Sequence, residues 1–129
     1  MPLIVVDLIA GRSVEQVQAL LDAVHDAVVE ALDVPQRDRY QIIHEHDPSW
    51  MVVQDTGLGI ERSRDVVIIQ VTSRPRPREQ KVALYQLVCQ QLESRCGTSP
   101  RDVMITIVEN TDEDWSFGHG RAQFLTGEL

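Results

Sequence analysis

Apolar and polar positions along this chain follow two periods, and the switches between them mark out its elements. From Pro2 to Leu8 (PLIVVDL) the residues are apolar and β-branched over a stretch too short for a helix, which predicts a buried strand ended by Ala10-Gly11. Ser13 has the character of a helix N-cap, with Gln16 at capping-box spacing. Val17, Leu20, Leu21, Val24, Val28, Ala31 and Leu32 then recur at three- and four-residue steps, drawing one apolar stripe that stops near Asp33, ahead of Pro35. Tyr40 to His46 (YQIIHEH) reads as a second strand, Asp47-Pro48-Ser49 as a turn, and Met51 to Gln54 as a short hairpin strand before the Thr56-Gly57-Leu58-Gly59 loop. The pattern then starts again. Val66 to Thr72 predicts a third strand, Pro77 suits the first position of a helix that turns Leu84, Leu87, Val88 and Leu92 inward, and Val103 to Val108 predicts a fourth strand.

A shift of 64 residues lays the second pass on the first without a gap from position 4 to position 45. Ile4/Ile68, Arg12/Arg76, Gln16/Gln80, Leu20/Leu84, Asp38/Asp102 and Ile43/Ile107 are among eleven identities in those 42 positions. The chain therefore predicts an α/β (α+β) fold of two tandem βαβ units, repeat 1 over about 2–58 and repeat 2 over about 64–109, with a C-terminal segment 110–129. Right-handed crossovers put both helices on one face of a four-stranded mixed sheet. Leu3 to Val6 and Val66 to Ile69 are apolar at successive positions, so both sheet faces need cover. The simplest cover for the helix-free face is another subunit, in a closed symmetric homo-oligomer.

With 129 residues, of which 43% are hydrophobic, the chain suffices for one well-buried domain. A net charge of −8 and a pI near 4.8 argue against nucleic acid or an anionic membrane as partner. Cys89 and Cys96 lie on one predicted helix roughly 10 Å apart, too far for a disulfide, which fits a reducing cytoplasm. No run approaches a membrane span and no leader pattern opens the chain, so a soluble cytoplasmic protein is expected.

Against that acidic background the candidate chemistry is local. Pro2 follows the initiator methionine, whose removal a small second residue permits; a free secondary amine would then stand at the head of a buried strand. Such a group titrates near neutrality and can serve as acid or base, whereas the plain alternative is a proline tolerated at a strand start. Arg74-Pro75-Arg76-Pro77-Arg78 lies beyond the third strand, where ligand crevices of α/β folds form. Its prolines stiffen the backbone so that Arg74 and Arg76 can face one side and grip a carboxylate, or the run is simply a solvated basic loop. Asp38 precedes the second strand; its recurrence as Asp102 favours a turn role, but only the first copy can meet a terminal amine, because Val66 stands at the position matching Pro2. His44 and His46 share a strand face without further ligands at zinc-like spacing, and no metal is assigned. Trp115, Phe117 and Phe124, with Gly118 and Gly120, read either as a lid or wall or as a packed tail.

Pro2-Leu3, Leu8-Ile9-x-Gly11-Arg12, Leu20-Leu21-Asp22-Ala23-Val24-His25, Arg37-Asp38-Arg39-Tyr40-Gln41-Ile42, Arg74-x-Arg76 and Trp115-Ser116-Phe117 together span nearly the whole chain. In these residues it resembles the tautomerase superfamily, and within it the malonate semialdehyde decarboxylase group. The resemblance implies a metal-free, cofactor-free homotrimer acting on a small carboxylate aldehyde. It implies that Pro2 is the general acid polarising the aldehyde oxygen, or an amine forming an iminium. Arg74 and Arg76 would hold the carboxylate, Asp38 would assist Pro2, and Trp115, Phe117 and Phe124 would wall the substrate from water. Acetaldehyde and CO₂ would be the products. A 3-haloacrylate dehalogenase or hydratase that uses Asp38 to activate water, and a non-catalytic protein-binding module, are the competing expectations.

Overall fold

The computed structural model describes residues 1–129 as β1 (Leu3–Ile9), α1 (Val14–Leu32), β2 (Tyr40–His46), β3 (Val67–Ser73), α2 (Arg78–Cys96) and β4 (Val103–Glu109). Short 3-10 turns and a C-terminal helical turn, α3 (Gln123–Thr126), complete the chain. The strands form one mixed sheet in the order β2-β1-β3-β4. β1 runs parallel to β2 and β3 to β4, and the two units meet antiparallel at β1 and β3. No helix is long and apolar enough to cross a membrane.

Both helices pack on one face. Ile4, Val6 and Leu8 of β1 and Val67, Ile69 and Val71 of β3 point toward Leu20, Val24 and Val28 of α1 and Leu84, Val88 and Leu92 of α2 in a single core. Burying side chains of this size stabilises the fold by roughly 1.5–3 kcal/mol each. The alternate strand residues face the other way. There Ile42, Met104 and Val108 remain 45%, 43% and 58% exposed, the bare apolar face anticipated above. Asp7 projects from the same face and binds both histidines of β2, His46 Nε2 at 2.7 Å and His44 Nδ1 at 3.3 Å from Asp7 Oδ1.

The ungapped repeat needs one correction. A shift of 64 matches Leu20 with Leu84 and Ile43 with Ile107, both pairs core-facing, but it matches Ile4, in the core, with Ile68, on the opposite face. The register decides the matter. β1 and β3 pair Val5 with Gln70 and Ile4 with Val71, so a two-fold axis passes through the Val5–Gln70 pair, and Pro2 corresponds to Val67 rather than Val66. Repeat 1 carries one extra residue in its β1–α1 loop, where Gly11 sits at φ 139°.

Two further expectations shift. Pro77 is the N-cap of α2 and not its first helical residue. In α1 the cap Ser13 and Gln16 bond reciprocally, Gln16 N to Ser13 Oγ at 3.1 Å and Ser13 N to Gln16 Oε1 at 2.8 Å. Proline has no N–H to donate, which leaves the counterpart Gln80 Oε1 buried and unpartnered. Met51–Gln54 forms no strand. It takes part in none of the sheet's strand pairings, and Val52 is 81% exposed.

Candidate active site

The site grows from a turn that the repeat uses twice. Asp38 N–H bonds to Pro35 O at 3.0 Å and Asp102 N–H to Ser99 O at 2.9 Å, so each aspartate closes the same turn ahead of its strand. Both side chains are buried, at 7% and 1% exposure, but they have different partners. Asp102 accepts from Ser63 N at 2.7 Å and Ser63 Oγ at 2.6 Å and is satisfied. Asp38 Oδ2 has no hydrogen-bond partner and lies 3.5 Å from the terminal amine. One copy ties down a loop, and the other presents an open carboxylate to the head of β1. Asp102→Ala should therefore lower unfolding free energy by about 2–4 kcal/mol through two lost charge-assisted bonds, read as a lower urea midpoint at unchanged slope. Asp38→Asn should move that midpoint far less.

The terminal amine in the structure is that of Met1, with Pro2 buried directly beneath it. Burial, first of all, holds this amine below its ordinary value of 8.0; Asp38 acts to raise it, and Arg76 and Arg74 act to lower it. All three side chains named from the sequence therefore act on one point at the strand head. Met1 also lines a cavity of about 530 Å³ together with Asp38, Tyr40, Phe117, Gln123 and Leu129.

The two arginines differ. Arg76 is fixed from behind, donating from Nε to Ser73 Oγ at 3.1 Å and from one terminal nitrogen to Leu32 O at 2.9 Å, while its other terminal nitrogen makes no protein hydrogen bond. Its backbone N–H donates to Glu109 at 3.0 Å, and Glu109 also pairs with Lys81. Burial, then the neighbouring Arg74, lowers the Arg76 pKa, against the pull of Asp38. Arg74 lies against Phe124, its guanidinium carbon 4.3 Å from the ring centroid, and its fork is engaged by Asp112 at 2.6 and 3.3 Å. Neither fork is free as expected: Arg76 keeps one unbonded terminal nitrogen, and Arg74 has to exchange Asp112 to bind a ligand.

In the C-terminal segment the three aromatic residues pack together, and of them Phe117 lines the cavity beside Met1. Phe117 stacks on Trp115 at 5.4 Å, meets Phe124 edge-on at 5.5 Å, and stacks on Tyr40 at 5.7 Å between centroids. Trp115 Nε1 donates to Asn110 Oδ1 at 2.7 Å, and Gln123 pins the loop by accepting from Phe117 N and donating to Gly118 O, each at 2.9 Å. Tyr40, Asp112 and Gln123 did not emerge from sequence reasoning. Tyr40 was reachable, because a parallel β1–β2 pair brings residue 40 beside Leu3. Asp112 carried no comparable signal.

Two family models described as "Tautomerase enzyme" match this chain, one over residues 38–118 and one over residues 2–61. "Probable tautomerase YrdN" of Bacillus subtilis (strain 168) is 53% identical over 129 residues and covers 100% of both chains. A malonate semialdehyde decarboxylase structure is 54% identical with a TM-score of 0.97 and covers 98% of each chain. The structure of FG41 malonate semialdehyde decarboxylase inhibited by 3-bromopropiolate is 48% identical, with a TM-score of 0.94 over 98% of this chain and 97% of that one. Family, fold and the residues at the strand head lead to one conclusion: this chain belongs to the tautomerase enzyme family.

Proposed function

We propose that this protein, once Met1 is removed, decarboxylates malonate semialdehyde to acetaldehyde and CO₂ without a metal or organic cofactor. The observation that carries this reading is the open carboxylate of Asp38, 3.5 Å from a terminal amine that Arg74 and Arg76 also influence. Likeness to two malonate semialdehyde decarboxylase structures supports the choice of substrate. Removing Met1 takes away one wall of the cavity and moves the amine to the Pro2 nitrogen. Arg76 and a released Arg74 bind the substrate carboxylate, and the Pro2 ammonium donates to the aldehyde oxygen. The C–C bonding pair passes toward that oxygen as CO₂ leaves, and the resulting enol takes a proton from water at carbon while its O–H proton returns to the Pro2 nitrogen, giving acetaldehyde.

Electrostatic stabilisation of the charge developing on the aldehyde oxygen is what accelerates this step. Equal grip on the carboxylate before and during bond breaking accelerates nothing, so the arginines act by turning the breaking bond perpendicular to the carbonyl plane. Trp115, Phe117 and Phe124 exclude water while the C–C bond breaks. The bare sheet face supports a homotrimer, expected to sediment as three chains.

Asp38 favours a second reading on the same groups, since an unpartnered carboxylate beside an ammonium suits activation of water for a hydratase or 3-haloacrylate dehalogenase. Protein beginning at Pro2 should be given malonate semialdehyde and the 3-chloroacrylate isomers, with acetaldehyde and chloride followed in parallel. Acetaldehyde release well ahead of chloride supports the decarboxylase, the reverse order supports the dehalogenase, and turnover of neither favours a binding module.

A further inference from the structure

The two-fold axis through Val5 and Gln70 carries the Pro2 end of the fold onto a second cavity, and we propose that this cavity binds a small organic anion without turning it over. The cavity measures about 680 Å³ and lies beyond the C-terminal end of β1, between the start of α1 and the end of α2. Arg12, Arg64 and Arg95 all line it. Three of the chain's twelve Lys and Arg residues thus meet in one hollow of a protein of net charge −8.

Arg12 is the repeat counterpart of Arg76 and belongs to the Leu8-Ile9-x-Gly11-Arg12 motif, for which the proposed reaction has no use. Its terminal nitrogen donates to Asp65 O at 2.7 Å, a carbonyl that leaves its charge uncompensated. Arg64 makes no hydrogen bond, and the chain's ion pairs include neither Arg12 nor Arg64. Arg95 is paired with Asp26 at 2.6 Å, and Asp65 is itself one of the lining residues. Asp47 also lies within electrostatic reach of Arg64, so nearby carboxylates offset the charge, but Arg12 and Arg64 are ion-paired to none of them and keep N–H donors free. Those free donors are what an anion would engage.

Size and lining define the ligand further. Small-molecule sites run to about 300–1,000 Å³, so this volume exceeds what inorganic phosphate needs. Ile9, Ala10 and Ala19 supply an apolar wall beside the arginines, and Ile9 is the register counterpart of Arg74. A second carboxylate clamp is therefore absent, and an apolar body fits in its place. Gly11, the extra loop residue at φ 139°, has no atom within 4 Å of where a Cβ would stand, so this side of the hollow is open. Val67 replaces Pro2 at the related strand head and offers no amine, so the site binds and does not catalyse. The expected ligand carries a carboxylate or phosphate head and a short apolar chain.

This inference does not rest on the decarboxylase reading. Calorimetry on the Arg76→Ala protein, which lacks the principal carboxylate clamp at Pro2, should detect one butyrate or butyl phosphate bound per chain. Comparing the two probes distinguishes a carboxylate ligand from a phosphate ester. Adding Arg12→Gln or Arg64→Gln should weaken that binding about tenfold or more. In the otherwise native chain the same substitutions should leave turnover at Pro2 unchanged. Arg64→Gln guards against a folding artefact, because Arg64 holds no structural bond. No anion bound in the Arg76→Ala protein, or affinity unchanged by both added substitutions, would overturn the site. Inorganic phosphate binding as tightly as butyl phosphate would overturn the apolar part of the assignment.

Discussion

Protein that keeps Met1 should decarboxylate malonate semialdehyde about 10²–10⁴-fold more slowly than protein beginning at Pro2, the range that a positioned general acid contributes. In the longer form the Pro2 nitrogen is an amide with no proton to give, Pro2 is buried, and Met1 stands between it and the cavity that Met1 and Asp38 line. The Met1 amine is no substitute, since it stands a residue further from the strand head. Intact-mass separation of the two forms followed by an acetaldehyde assay on each checks this, and equal rates would remove Pro2 from the mechanism. The pH profile of the active form carries the same logic further. With the ammonium as the working species, as proposed, activity should fall as pH rises through the amine pKa. Asp38 raises that pKa while Arg76 and Arg74 lower it, directions seen in the field on the Met1 amine. Asp38→Asn should accordingly move the alkaline limb of kcat/KM to lower pH, by about one unit for an opposite charge within a few ångströms. A limb that stays in place would mean that Asp38 serves geometry alone.

How much of this was legible in the residues follows from the kind of signal each feature leaves. β2 and α1 fall where the apolar pattern ends them, because strand alternation, a capping box and a left-handed Asp33 are all local events. The repeat offset was misplaced by one residue within β1 and β3. Strands apolar on both faces, such as LIVV and VVII, lack the alternation that reveals which way a side chain points, and only the register recovers it. Pro2, Asp38 and Arg76 could be grouped from sequence because repeat topology brings strand heads and crossover loops to one end. The pairing of Arg74 with Asp112 could not, since that acid lies 38 residues on, in a segment with no periodicity to place it. Asp38 and Asp102 show the same limit from another side. The two turns share the Arg-Asp pairs 37–38 and 101–102, and the different roles of the aspartates depend on whether Ser63 or an amine reaches the carboxylate.

Arg76→Ala should lower kcat/KM on malonate semialdehyde by about a thousandfold, with both a raised KM and a reduced kcat, and Arg76→Lys should recover little of the loss. Ser73 Oγ and Leu32 O hold its guanidinium from behind, so the remaining nitrogen is presented to substrate in a fixed direction rather than on a free chain. A lysine has neither the fork to keep both anchors nor the plane to set the carboxylate against the carbonyl, and orientation is the contribution proposed for Arg76. Arg74→Ala should cost less, because that fork begins in the grip of Asp112 and is weakened for substrate by the exchange. The discriminating variant is Asp112→Asn. If Arg74 completes the clamp, releasing it should lower KM with kcat nearly unchanged, as expected when a competing ground-state partner is removed. A raised KM in that variant would show instead that Asp112 holds Arg74 in its working position, leaving Arg76 as the only residue that grips the carboxylate unaided.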